Sequence, residues 1–174
     1  MKRTRRFLLD ADTFIQAKNR HYAFDICPGY WTAILRLYEL RLVYSIDRVR
    51  AELIGYGDEL SDWIKDHTPA HFFKKTEDQA VIQQYTRIVR WVKGEEQYSE
   101  EATERFLSGA DPWLIAYAKV NGHTVVTYEE HRPEARNTVP IPNVCIQFGV
   151  DCINPFQMLR ALGVRFRSSR IRGE

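Results

Sequence analysis

Short apolar runs alternate along this chain with segments of helical spacing, and that alternation narrows the possible folds more than any other feature. Residues 5–9 form such a run, which stops abruptly at Asp10. Residues 42–46, 123–127 and 150–153 are three more. Runs this short, rich in Val, Ile and Leu, read as buried strands. Helical segments lie between them. Asp12 or Thr13 can cap a short helix through Ala17. Trp31, Ile34, Leu35 and Tyr38 share one face of a helix that begins at Tyr30 or Trp31, after the loop at 23–29. Ile46, Val49, Leu53 and Tyr56 repeat at helical spacing, and a short helix at 59–66 follows. Residues 77–93 carry the clearest stripe, from Val81 and Ile82 to Val92, and Gly94 ends it. A short helix ending at Ser108-Gly109 and further helices at 112–120, 141–149 and 156–162 complete the pattern. Strands separated by helices predict a single α/β domain over 1–174 with a mainly parallel sheet. Residues 57–100 read as a helical insertion upon it.

Composition excludes several classes of protein. At 174 residues the chain suits one domain. Its 44% hydrophobic content is enough for a real core, which argues against disorder. No apolar run approaches the ~20 residues of a membrane helix. The basic start is followed only by Phe7, Leu8 and Leu9 before Asp10, too short for an export signal. Cys27, Cys145 and Cys152 are odd in number and far apart in sequence. They favour neither a disulfide framework nor a zinc site, and suggest a cytoplasmic, reducing setting.

The net charge of +2 conceals an asymmetry. Lys2, Arg3, Arg5 and Arg6 crowd the start, and Arg160, Arg165, Arg167, Arg170 and Arg172 the end. Setting these nine and Glu174 aside from totals of 25 basic and 23 acidic groups leaves a body with six more acids than bases. Basic ends on an acidic body suit either a polyanion partner or plain solubilising tails.

In open parallel sheets, ligands gather at the carboxyl ends of the strands. The acids there are Asp10 with Asp12, and Glu129 with Glu130. Asp111 begins the helix that leads back to the strand at 123–127. Glu52 lies about 80° from the centre of its helix's apolar stripe, on the flank of the buried face. Each has a structural reading as well. Asp111 in Ala-Asp-Pro fits a helix N-cap. Asp10 and Asp12 fit a turn, and Glu52, Glu129 and Glu130 fit solvated surface. Together, carboxylates converging on one sheet end repel one another and call for a hard divalent cation. Such an ion can activate water for phosphodiester cleavage. No phosphate loop, HExxH or GxSxG is present. His21, His67, His71, His123 and His131 form no metal-ligand pair and read as surface or loop residues.

The order of these motifs resembles the PIN-domain family. Leu8-Leu9-Asp10-Ala11-Asp12-Thr13-Phe14-Ile15 is similar to its opening strand and turn, with Asp12 where most members have asparagine. Glu52 falls on the family's helix glutamate and Asp111 on its third acid. Val125-Val126-Thr127-Tyr128-Glu129 resembles a strand ending in Thr-x-Asp, with Glu129 in the last place. Residues 22–31 and 141–150 resemble an incompletely characterised PIN-like branch.

The resemblance implies a three-layer α/β fold and an Mg2+- or Mn2+-dependent endoribonuclease, often the toxin half of a toxin–antitoxin pair. Asp10, Glu52, Asp111 and Glu129 would then be both catalytic and metal-binding, supported by Asp12 and Thr127. Thr127 would orient a carboxylate or water, or simply pack. RNA would be the substrate, with Lys18, Arg20 and the basic ends on its phosphates and Tyr22, Tyr30 and Trp31 against its bases. A cognate antitoxin and a homodimer are the partners implied. One alternative is a PIN-like module that binds RNA or protein without cleaving it. Another is an aspartate-nucleophile phosphatase, since Asp10-Ala11-Asp12 also reads as DxD. Phe14 and the missing downstream acidic pair weaken that second alternative.

Overall fold

The structure is a computed structural model and describes residues 4–167. Five parallel strands form one sheet in the order β3-β2-β1-β4-β5. They are β1 (Phe7–Leu9), β2 (Val43–Ile46), β3 (Phe73–Lys74), β4 (Thr124–Val126) and β5 (Cys152–Ile153). β1 is central, pairing Phe7 with Val43 on one side and with Thr124 on the other. Phe7, Leu8 and Leu9 are buried on both faces, as a central parallel strand must be. Burying side chains of that size contributes roughly 1.5–3 kcal/mol each.

Nine helices are described: α1 (Ala11–Gln16), α2 (Pro28–Glu39), α3 (Asp47–Gly55), α4 (Glu59–His67), α5 (Gln79–Gly94), α6 (Glu100–Ser108), α7 (Asp111–Asn121), α8 (Ile141–Phe148) and α9 (Pro155–Ala161). A π-helical turn, Ala17–His21, extends α1. α3 packs on α1, α4 and β2, whereas α7 packs on α5, α6, α8 and β4. With the right-handed crossovers that parallel strands require, this strand order puts the two groups on opposite faces. The layers are thus helices, sheet, helices, in agreement with the α/β expectation. Among the described residues no helix is long and apolar enough to cross a membrane.

Several local expectations are corrected. The stretch 57–100 is not wholly helical: β3 lies within it and pairs with β2 through Ser45–Phe73 and Ile46–Lys74. That segment therefore supplies an edge strand of the sheet itself. α1 starts at Ala11, so neither Asp12 nor Thr13 is its cap. Asp10 holds the N-cap position and makes no capping bond. α2 starts at Pro28 and buries Leu37 in place of Leu35 and Tyr38. His123 is buried, against the surface reading. Cys145 and Cys152, seven residues apart, lie within hydrogen-bonding reach of one another, and all three cysteines are free.

The basic ends also find their places. Arg5 and Arg6 precede β1, and the Arg5 Nε donates to Thr124 Oγ1 at 2.9 Å. Asp10 follows β1, so these arginines and Asp10 occupy opposite ends of the sheet. Lys2, Arg3, Arg170 and Arg172 lie outside the described residues.

Candidate functional site

From β1 the chain crosses to β2 in one direction, and later returns to β4 on the other side. The carboxyl end of β1 is therefore the switch point of the sheet, and Asp10 stands on it. Its backbone N–H donates to Val126 O at 3.0 Å. Neighbouring hydroxyls fix the strand ends: Ser45 Oγ donates to Leu9 O at 2.7 Å, and Thr13 Oγ1 to Val126 O at 3.0 Å. Thr127, 1% exposed, donates from Oγ1 to Asp10 Oδ2 at 3.0 Å. Thr127 thus orients a carboxylate as well as packing. Its Oγ1 also accepts from the Glu129 N–H at 3.1 Å, which ties the next acid to the same strand end.

The other carboxylates are held by backbone donors. Glu52, half-buried on α3, accepts from the Ala110 N–H at 2.8 Å through Oε1. Gly109 has no side chain to crowd that oxygen; a Cβ there would stand 3.4 Å from it. Glu129 Oε2 accepts from the Ile141 N–H at 2.7 Å. Asp111 is not the cap that Ala-Asp-Pro suggests. Ala110 takes the N-cap position and Asp111 is the first residue of α7, with no capping bond. Its carboxylate is left to the cleft.

Electrostatics bind these positions into one site. Burial, then the charges of Glu129 and Asp12, push the Asp10 carboxyl up to about 7, against the opposing hydrogen bond from Thr127. Asp111 is driven well above the usual carboxylate range by burial, then by Asp10, Glu129, Glu52 and Asp12. Glu129 is exposed as a residue, yet its carboxyl is raised by lost hydration and by Asp12, with the Ile141 N–H and Arg132 opposing. The other three sequence-predicted acids, and Asp12 with them, therefore lie within electrostatic reach of Asp111 at the carboxyl end of the sheet. Glu130 is exposed and takes no part.

The donor set suits a hard divalent cation: desolvated carboxylate oxygens whose mutual repulsion an ion would relieve. Among the described residues, however, no three Asp, Glu, His or Cys side chains already stand as a cage for an ion. Glu52 and Glu129 each spend one oxygen on a backbone N–H and keep one free.

Other expectations fare differently. Lys18 Nζ pairs with Asp58 at 3.5 Å, and Arg20 is exposed. Tyr30 and Trp31 are 1% and 3% exposed, so they belong to the core and not to a base-stacking surface. Tyr22 is half-buried and stacks on Tyr30 with ring centroids 4.3 Å apart. Sequence reasoning missed Asn143. Its side-chain oxygen accepts from the Arg132 N–H at 2.9 Å, and its amide donates to Arg132 O at 2.8 Å. It thereby clamps the loop that carries Glu129. An asparagine beside Pro142 at a helix start was the available signal.

No curated protein matches the chain. One family model matches residues 7–166, from the first residue of β1 to beyond α9. With the whole sheet and every carboxylate of the cleft inside that span, the chain belongs to the family described as a domain of unknown function, DUF4411.

Proposed function

We propose that this protein is a metal-dependent endoribonuclease of PIN type. The carrying observation is the convergence of Asp10, Glu52, Asp111 and Glu129 at the switch point of the sheet, with the Asp10 and Asp111 carboxyls pushed up by burial and by the surrounding acids. The motif order that resembles PIN domains supports the same reading.

Asp10, Asp111, Glu52 and Glu129 would hold Mg2+ or Mn2+. A divalent ion bound there supplies charge neutralisation and a more acidic water for attack on a phosphodiester. Asp10 is the fixed point: Thr127 holds its Oδ2, and its burial keeps bulk water away. The Ala110 and Ile141 N–H groups hold one oxygen each of Glu52 and Glu129. Asp111 has no such tether, so it can approach an ion by rotating its side chain alone. Burial and the surrounding acids raise its carboxyl, so a bound cation would favour the loss of its proton.

The toxin role and its inhibitory protein partner belong to this proposal as extensions drawn from the resemblance. The test is incubation of the purified chain with mixed RNAs plus Mn2+ or Mg2+, beside Asp10→Asn and a chelator control. RNA loss confined to the metal-loaded wild type is expected, together with a rise in melting temperature on adding Mn2+ at pH 8. Equal loss in all three points to a contaminant and refutes the proposal. RNA bound but intact favours a non-cleaving binding module, for which the lack of a ready-formed cage among the described residues is the supporting observation.

A further inference from the structure

The end of the sheet remote from the carboxylates has chemistry of its own. A cavity of about 750 Å3 opens there, walled in part by Arg5, Arg6, Lys119, His123 and Gly149. A second hollow of about 390 Å3 shares Arg6 and adds Arg41, Tyr44 and Lys74. The fold brings these cations together from distant positions. Arg5 and Arg6 enter β1, Arg41 sits in the left-handed turn before β2, and Lys119 is in the last turn of α7. Lys74 lies on β3, with its Nζ over the Tyr44 ring at 4.4 Å. Gly149 has φ +62, which favours glycine, and its Cα side lies beside the Lys119 Nζ, 3.7 Å from where a Cβ would stand.

Two acids, Asp151 and Glu39, line these hollows. Arg5 meets Asp151 only at 3.8 Å, with the two side chains 48% and 79% exposed, a contact that neutralises little. The remaining charges oppose one another. Lys74 is depressed by burial, then by Arg6 and Arg41. Burial, then Arg6 and Lys74, hold His123 down to about 4, so its ring is neutral near pH 7. The His123 Nδ1, in a residue 8% exposed, has no hydrogen-bond partner among the described residues.

We propose that the amino end of the sheet is a second, cationic site that holds the phosphodiester backbone of a single-stranded nucleic acid. Two hollows joined at Arg6 spread their cations more widely than one phosphate can use, whereas a backbone offers phosphates in series. Lysine and arginine contacts of this kind position a strand without reading its sequence. The site does not overlap the acidic cleft, and its occupancy does not depend on that cleft cleaving anything.

The experiment is fluorescence anisotropy of a labelled single-stranded RNA in chelator, from about 50 to 200 mM salt. It uses the full chain and an Arg6→Glu/Lys119→Glu double variant. The wild type is expected to bind, with affinity falling as salt rises. The double variant is expected to bind at least about tenfold more weakly, with a salt slope shallower by about 1.4 for two lost contacts to a single strand. An Arg6→Gln/Lys119→Gln pair, checked by circular dichroism, serves if the charge reversals do not fold. Undiminished RNA binding by a folded double variant overturns the proposal. So does saturable binding of ATP or of polyglutamate by a wild type that ignores RNA. Because chelator stops any cleavage, a failure of the nuclease reading leaves this result unaffected.

Discussion

Replacing Asp10 by Asn removes a charge that the folded chain holds at a cost, and the size and pH dependence of that cost follow from the cleft. The Asp10 carboxyl rises from 3.8 to about 7 on folding. Every tenfold gain in proton affinity is about 1.4 kcal/mol of preference for the protonated form. The stability it lends is therefore complete below pH 3.8, falls as the pH rises, and is gone above about 7. The loss approaches about 4 kcal/mol when no cation is bound. Asp10→Asn keeps the shape and an acceptor for Thr127 but has nothing to ionise. In chelator its advantage over wild type is expected to be small near pH 4, about 2 kcal/mol at pH 5 and up to about 4 kcal/mol at pH 8. Relaxation of the cleft lowers these ceilings without changing the trend. Urea unfolding followed by tryptophan fluorescence, at pH 4, 5 and 8, measures it directly. A variant no more stable than wild type at pH 8, or an advantage that does not change with pH, would refute the electrostatic account of the cleft.

Two further outcomes test the frame around the site. Asn143→Ala strips the Arg132 N–H of its acceptor and leaves the Arg132 carbonyl only the Ala135 N–H, which is expected to cost about 1–3 kcal/mol and to speed amide exchange at Arg132 more than in β1; uniform exchange across both would contradict the clamp. Cys145 is buried, and its thiol is pushed up by the hydrogen bond with Cys152 and by burial. A thiol reagent at pH 8, read by mass spectrometry, should label half-buried Cys27 and Cys152 well before Cys145, and early labelling of Cys145 would contradict its burial.

The features legible in the sequence followed local rules. Phe7 to Leu9 is apolar at every position because both faces of a central strand are covered, so Asp10 was visible as the first residue beyond it. Glu52 was visible from its angle on α3. β3 was not, because two residues have no periodicity, and Phe73–Lys74 becomes a strand only by lying beside Ser45 and Ile46. His123 gave no local sign of burial; its cover comes from Tyr44 and Tyr117, which stand on other elements. The cap of α7 was misplaced by one residue because the Ala110 N–H is satisfied by Glu52, a partner 58 positions away. The separation of Arg5 and Arg6 from the acids was legible in principle. A strand lies between Arg6 and Asp10, and a strand has two ends.

The central position of β1 also has a consequence for how the molecule is made. β1 leaves the ribosome before the other four strands, yet one of its edges stays open until β4, more than a hundred residues later, arrives to cover it. Thr127, Glu129 and the Ile141 N–H come later still. A growing chain can pair β1 with β2 and bury Ser45 against Leu9 while Asp10 still lacks its hydroxyl partner and two of its neighbouring acids. The site is thus absent from every nascent chain that has not yet extended past Ile141, and whatever chemistry it performs waits for that residue.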